Sequence, residues 1–136
     1  LHAHGWGINV LRPLPDGTRL AFGALDGTVG IIDVEGASLV GELAPHDGPV
    51  LSAAVEPSRG ILATGGADGS IALYSLPDLL PRNEAGNPYG PVWALAFAFD
   101  GQLLLQGGLE NAVTTTRVDP PSAPQPPSAE QAERLA

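Results

Sequence analysis

Residues 21–33 (AFGALDGTVGIID) and 63–75 (ATGGADGSIALYS) share one pattern, and residues 105–117 (LQGGLENAVTTTR) repeat it more weakly. The interval is 42 residues both times, and the register holds without a gap. His4 aligns with His46, Ile8 with Val50 and Val92, and Leu20 with Leu62 and Leu104. Gly23 aligns with Gly65 and Gly107, Asp26 with Asp68 and Glu110, and Val29 with Ile71 and Val113. A period of this length marks stacked supersecondary units, none of which buries its apolar face alone. That constraint outranks every local signal in the chain.

Each unit divides into short strands and turns. Apolar runs of strand length occupy residues 8–13, 50–55 and 92–97. Turn residues follow at Pro15-Asp16-Gly17, Pro57-Ser58-Arg59-Gly60 and Phe99-Asp100-Gly101. Second strands at 19–23, 61–65 and 102–107 lead, in the first two units, into Asp26-Gly27 and Asp68-Gly69. Asp-Gly between apolar runs is a strong hairpin signal, because both residues tolerate positive φ. A third strand spans 69–76, and a fourth is visible at 39–43 but poor after Ser75, where Pro77 and Pro81 intrude. Four antiparallel strands per unit make one blade of a β-propeller. The expectation is an all-β chain with three repeats at about 1–43, 44–85 and 86–118, then a tail at 119–136.

The units resemble WD repeats. His46-Asp47-Gly48-Pro49-Val50 and Thr64-Gly65-Gly66-Ala67-Asp68-Gly69-Ser70-Ile71 carry the likeness. It implies a hydrogen-bonded tetrad locking each blade: His46, Thr64, Asp68 and Tyr74 in the second unit. A buried imidazole and carboxylate need partners, and a hydroxyl between them supplies one. In the first unit only His4 and Asp26 survive, with Phe22 and Ile32 in the other places. In the third, Pro88, Gln106, Glu110 and Thr116 leave no tetrad. Because such rings close with about four to eight blades, the chain is expected to be the last three blades of a longer propeller. Its remaining blades would come from the same polypeptide. The phrases HGWGINV, LAFGALDG, HDGPVL and NPYGPVWALAF also look similar to bacterial WD-repeat regions fused ahead of a c-type cytochrome. That likeness implies a periplasmic docking or sensor region, and otherwise a cytoplasmic one is expected.

Composition narrows the chemistry. The net charge is −9, and all six basic residues are Arg, which argues against a nucleic-acid partner. With no Cys there is no thiolate metal site and no haem attachment, and no cofactor is expected in this chain. No apolar run approaches the ~18 residues of a membrane span. Residues 119–128 (DPPSAPQPPS) hold five of the fourteen prolines and so cannot join a sheet. His2-Ala3-His4 lacks a visible third metal ligand, and GGADGS lacks the Gly-Lys pair of a phosphate loop. Thr64 or Ser70 with His46 and Asp68 imitates a hydrolase triad, but the same groups are the expected blade lock. Trp93 alternates with Leu95 and Phe97 and is expected in the core. In WD repeats the residue before the turn Asp emerges on one rim and commonly contacts partners, which marks Leu25, Ala67 and Leu109. Trp6 and Tyr89 lie in loops expected at the same rim. The expected function is non-catalytic: a scaffold for protein–protein interaction.

Overall fold

The computed structural model describes residues 7–82, 85–86, 90–108 and 113–118. The first sheet holds β1 (Ile8–Pro13), β2 (Arg19–Ala24), β3 (Val29–Asp33) and β4 (Ser38–Leu43). The second holds β5 (Val50–Glu56), β6 (Ile61–Gly66), β7 (Ser70–Ser75) and the short β8 (Leu80–Pro81), with β9 (Ala85–Gly86) also pairing on β7. The third holds β10 (Ala94–Ala98), β11 (Leu103–Gly107) and β12 (Val113–Arg117). Sheet order follows chain order and all pairings are antiparallel. The expected all-β blades are therefore present.

Turn chemistry sets the meander. Asp16 Oδ1 accepts the Thr18 and Arg19 N–H groups at 3.0 and 3.2 Å, closing the β1–β2 turn. Asp33 Oδ1 does the same for Glu35 and Gly36 after β3, at 3.1 and 3.4 Å. At the β2–β3 turn Gly27 has φ +94°, and a Cβ there would strike the His46 carbonyl oxygen. Only glycine fits both the backbone and the neighbour.

The core lies between sheets. Val10, Ala21, Val29 and Ile31 of the first sheet pack on Val50, Ala53, Leu62, Ala72 and Tyr74 of the second. On the other side Ile61, Ala63, Ile71 and Leu73 pack on Val92, Leu104 and Val118, with Leu95 and Phe97 partly buried beside them. Covered on both faces, β6 is buried at every residue, whereas β12 alternates exposed and half-buried positions. Alternation of side chains along each strand feeds both interfaces.

Blades interlock at a contact that recurs with the repeat. A Cβ built on Gly23 would lie 2.5 Å from Val50 Cγ1, and one on Gly65 would lie 2.5 Å from Val92 Cγ1. Each valine therefore fills the space that a side chain would need. Polar bonds flank these contacts: Asn9 Nδ2 donates to Val50 O at 2.9 Å and Ser52 Oγ to Val92 O at 3.0 Å. Arg12 Nε donates to Ala53 O at 3.0 Å, and an Arg59 guanidinium N–H to Gly101 O at 2.6 Å.

One expectation needs correction. Trp93 is 53% exposed, not a core residue. It precedes β10 at the place where the matching strands β1 and β5 break register, at Asn9 and Leu51. An irregular residue leaves the strict alternation on which the core assignment relied. Among the described residues the third sheet shows three strands. The tail lies outside the described residues.

Candidate functional site

The polar groups singled out in the second repeat meet at one end of the second sheet. β6 carries Thr64, the β6–β7 turn carries Asp68, and the loop before β5 carries His46. His46 Nε2 lies 2.9 Å from Thr64 Oγ1, and Nδ1 lies 2.7 Å from Ser70 Oγ. Ser70 Oγ in turn donates to Asp68 Oδ1 at 2.7 Å, and the Asp47 N–H donates to Asp68 Oδ2 at 2.9 Å. The hydroxyl between imidazole and carboxylate is thus Ser70, where the sequence reading placed Thr64. Asp68 Oδ1 also accepts the Ser70 N–H at 3.0 Å, an i to i+2 turn that brings the hydroxyl within reach. That Asp-Gly-Ser spacing was the available signal for Ser70.

Proton order follows from the inventory of donors. Ser70 spends its single proton on Asp68, so it accepts from Nδ1–H of His46. Nε2 of a neutral ring then accepts from the Thr64 hydroxyl. Every group in this chain polarises the next in one direction. Burial, the largest single influence on Asp68, opposes its ionisation. The Asp47 N–H and both Ser70 donors, with a smaller electrostatic contribution from the nearby His46 ring, together outweigh it, and the pKa falls from 3.8 to about 2.

This geometry is not that of a hydrolase. A catalytic triad places imidazole between carboxylate and nucleophile, with the nucleophile open to substrate. Here serine stands between imidazole and carboxylate, with His46 Nδ1 3.7 Å from Asp68 Oδ1. Thr64, on the other nitrogen, is 2% exposed. Tyr74 is buried on the same face of the sheet as Thr64, since Leu62 pairs with Tyr74 and Thr64 with Ala72.

The other repeats treat the same places differently. Asp26 Oδ1 accepts the Thr28 N–H at 3.0 Å, matching Asp68 and Ser70, while His4 lies outside the described residues. Phe22 and Gly30 replace Thr64 and Ala72. In the third repeat Gln106 replaces the threonine, and its Oε1 is buried with no hydrogen-bond partner among the described residues. No group of three His, Cys, Asp or Glu side chains suited to a metal occurs among the described residues, and His2 lies outside them.

The rim above the lock gathers two of the five expected contact residues. Leu25, in the β2–β3 turn, is 45% exposed; Ala67, in the β6–β7 turn, is half-buried. The loop 46–49 lies between them. Gly27 packs against the carbonyls of His46 and Gly48, and the Ala67 N–H donates to Pro49 O at 2.9 Å. Trp6, Tyr89 and Leu109 lie outside the described residues. Asp26 and Asp47 are exposed on the same rim, beside Leu25 and Ala67 respectively.

Antiparallel meander blades, locked side by side through their inner strands, define a β-propeller of the WD type. The family model "WD domain, G-beta repeat" matches residues 1–33 and 37–75, and the chain belongs to that family. Over 63 residues it is 38% identical to human "WD repeat and HMG-box DNA-binding protein 1" and 36% to the Xenopus laevis protein of that name. Each match spans 46% of this chain and 6% of the relative. These relatives are vertebrate and lend no support to the expected bacterial origin. In fold the chain is similar to the RRP9 WD40 repeats, with TM-score 0.79 and 20% identity, over 87% of this chain and 37% of that one. It is also similar to the beta-propeller domain of Myceliophteria thermophila Cps50 (Swd1), with TM-score 0.76 and 20% identity, over 96% of this chain and 43% of that one.

Proposed function

We propose that the chain is a non-catalytic docking module whose rim, around Leu25 and Ala67, receives a protein partner. The observation that carries this reading is Leu25. A large apolar side chain stands 45% exposed in a turn, next in sequence to the exposed Asp26, with Asp47 exposed in the adjoining loop. Turns usually carry polar residues, and apolar anchors ringed by polar groups supply much of the energy of protein interfaces. The acidic surround and the net charge of −9 favour a partner segment with an apolar side chain flanked by Lys or Arg. They disfavour a polyphosphate backbone. His46, Thr64, Ser70 and Asp68 act as the structural lock that fixes the turn under Ala67. Trp6, Tyr89 and Leu109 extend the same rim in this reading.

A photo-crosslinking residue at position 25 tests it against one at Val34. Val34 is 54% exposed in the β3–β4 turn, at the opposite end of the first sheet. Partner crosslinks concentrated at position 25, and lost when Ala67→Glu is added, are expected. Equal labelling from both ends would refute a rim-directed partner.

A further inference from the structure

Five Asp-Gly pairs occur in the chain, and Asn-Gly does not occur. Four of the five are closed turns. The glycine N–H donates to the carbonyl three residues back: Gly17 to Leu14, Gly27 to Ala24, Gly69 to Gly66 and Gly101 to Ala98, at 3.1 to 3.2 Å. In three of these the aspartate is pinned too, because Asp16, Asp26 and Asp68 each accept the N–H two residues on. Asp47-Gly48 has neither restraint. Among the described residues no hydrogen bond holds the Gly48 N–H or the Asp47 carboxylate.

Space around the pairs differs as well. A Cβ on Gly27 would strike the His46 carbonyl, and one on Gly101 would lie 2.6 Å from Arg59 Cδ. One on Gly48 would meet nothing closer than Ala67 Cβ at 3.9 Å. Asp47 is exposed, so water reaches its carboxyl group. Gly48, at φ +143°, has no Cβ to hinder a ring closing on its nitrogen. The residues around the pair are anchored. The Asp47 N–H donates to Asp68 Oδ2 at 2.9 Å, and Pro49 O accepts the Ala67 N–H at 2.9 Å. Asp47-Gly48 is the unrestrained span between those two anchors.

We propose that Asp47-Gly48 is a site of spontaneous covalent modification, at which Asp47 isomerises to its β-linked form, isoaspartate. The Gly48 nitrogen bonds to Asp47 Cγ, the Cγ–OH bond breaks, and the hydroxyl leaves with the N–H proton as one water. The product is a cyclic succinimide. Water then adds to the ring carbonyl that came from the Asp47 main chain, and the C–N bond there breaks. The chain now runs through Cβ and Cγ, and the former main-chain carbonyl is a free carboxylate. Water lost in the first step returns in the second, so the solvent is the only reagent. One methylene has entered the backbone between the two anchors, a covalent change with a local structural cost. One anchor must give way, and the first of them is the donor that holds Asp68 in the lock. The proposal stands on this loop and does not depend on the rim reading.

Ageing the folded protein beside its urea-unfolded form tests this, with peptide mapping by fragmentation that distinguishes the two linkages. Methyl transfer by a carboxyl methyltransferase specific for isoaspartate gives a second readout. In the folded protein, isoaspartate should form several-fold faster at Asp47 than at Asp16, Asp26, Asp68 or Asp100. In urea the five pairs should convert at similar rates, because the same dipeptide is then equally free at each. Asp47→Asn closes the same ring with loss of ammonia and should accelerate conversion at this position. Asp47→Ser keeps the backbone N–H but offers no carboxyl group, and should abolish it. Aged parent protein should melt below fresh protein, whereas aged Asp47→Ser should not. Conversion spread evenly over the five pairs in the folded protein, or concentrated at another of them, overturns the proposal. So does an equal preference for Asp47 in urea, since sequence and not the loop would then decide. An unchanged melt in protein converted at Asp47 would refute the loss of the anchor.

Discussion

Phe22 fills the space above Gly30: a Cβ built on Gly30 would lie 2.5 Å from Phe22 Cε2 and 2.6 Å from Cζ. The two residues pair directly across β2 and β3, as Thr64 and Ala72 pair across β6 and β7. Where the second blade has a hydroxyl beside a methyl group, the first has a ring over a bare backbone. Volume has moved from one strand to the other, and a polar lock has become an apolar one. Gly30→Ala should therefore cost about 1–3 kcal/mol by overpacking. Phe22→Ala should cost about 3–5 kcal/mol. In the double variant the two losses should fall short of their sum, which denaturant unfolding of all four proteins measures.

His46→Ala removes the acceptor of the Thr64 hydroxyl and the donor to Ser70. Thr64 is then buried and unsatisfied, and a loss of about 1–3 kcal/mol is expected. In a Thr64→Val background the same substitution should cost less, because no buried hydroxyl is stranded. Equal losses in both backgrounds, by chemical denaturation, would show that His46 contributes by packing alone. By the same reasoning His4→Ala should cost less than His46→Ala, since Phe22 and Ile32 stand where its partners would be.

Asp68 gives the lock a pH signature. Its folded pKa of about 2 lies below the ordinary value of 3.8, so the unfolded state binds the proton more readily. Stability from this group is fully present above the unfolded value and is lost as pH falls through the folded one. Asp68→Asn should therefore be less stable than the parent at neutral pH. The gap should narrow between about pH 4 and about pH 2. Thermal melts across that window check the sign; a gap that widens on acidification would contradict the hydrogen-bond pattern.

Two glycines separate close approach from mere flexibility. Gly65→Ala places a methyl group within 2.5 Å of Val92 Cγ1 and 2.7 Å of Ser52 Oγ, both in the seam between blades. A cost of about 1–3 kcal/mol is expected. Gly41→Ala, with nothing within 4 Å, should be neutral or stabilise by up to about 1 kcal/mol, because alanine loses less backbone entropy on folding. Paired denaturation midpoints decide between these outcomes.

The repeat alone determined a great deal. Its interval set the order of the strands, and its Asp-Gly turns set where β2 and β3, and β6 and β7, are joined. Three members of the second-blade hydrogen-bond chain were also legible, because His46, Thr64 and Asp68 lie at spacings that resemble one WD repeat. What stayed hidden depended on neighbours. Ser70 fell in the third strand and outside the tetrad that the resemblance implies, and only the Asp68 turn shows its hydroxyl between imidazole and carboxylate. Trp93 looked like core by alternation, but it is exposed, at the place where the matching strands β1 and β5 break register. Gly23, Gly65 and Gly107 are one residue type in one register, and nothing in the sequence separates them. Only the tertiary structure does so: the first two are filled by valines of the next sheet, and the third meets no such side chain among the described residues. A blade's strands are set by local turn chemistry and alternation, but burial of its faces is supplied by the adjacent blade.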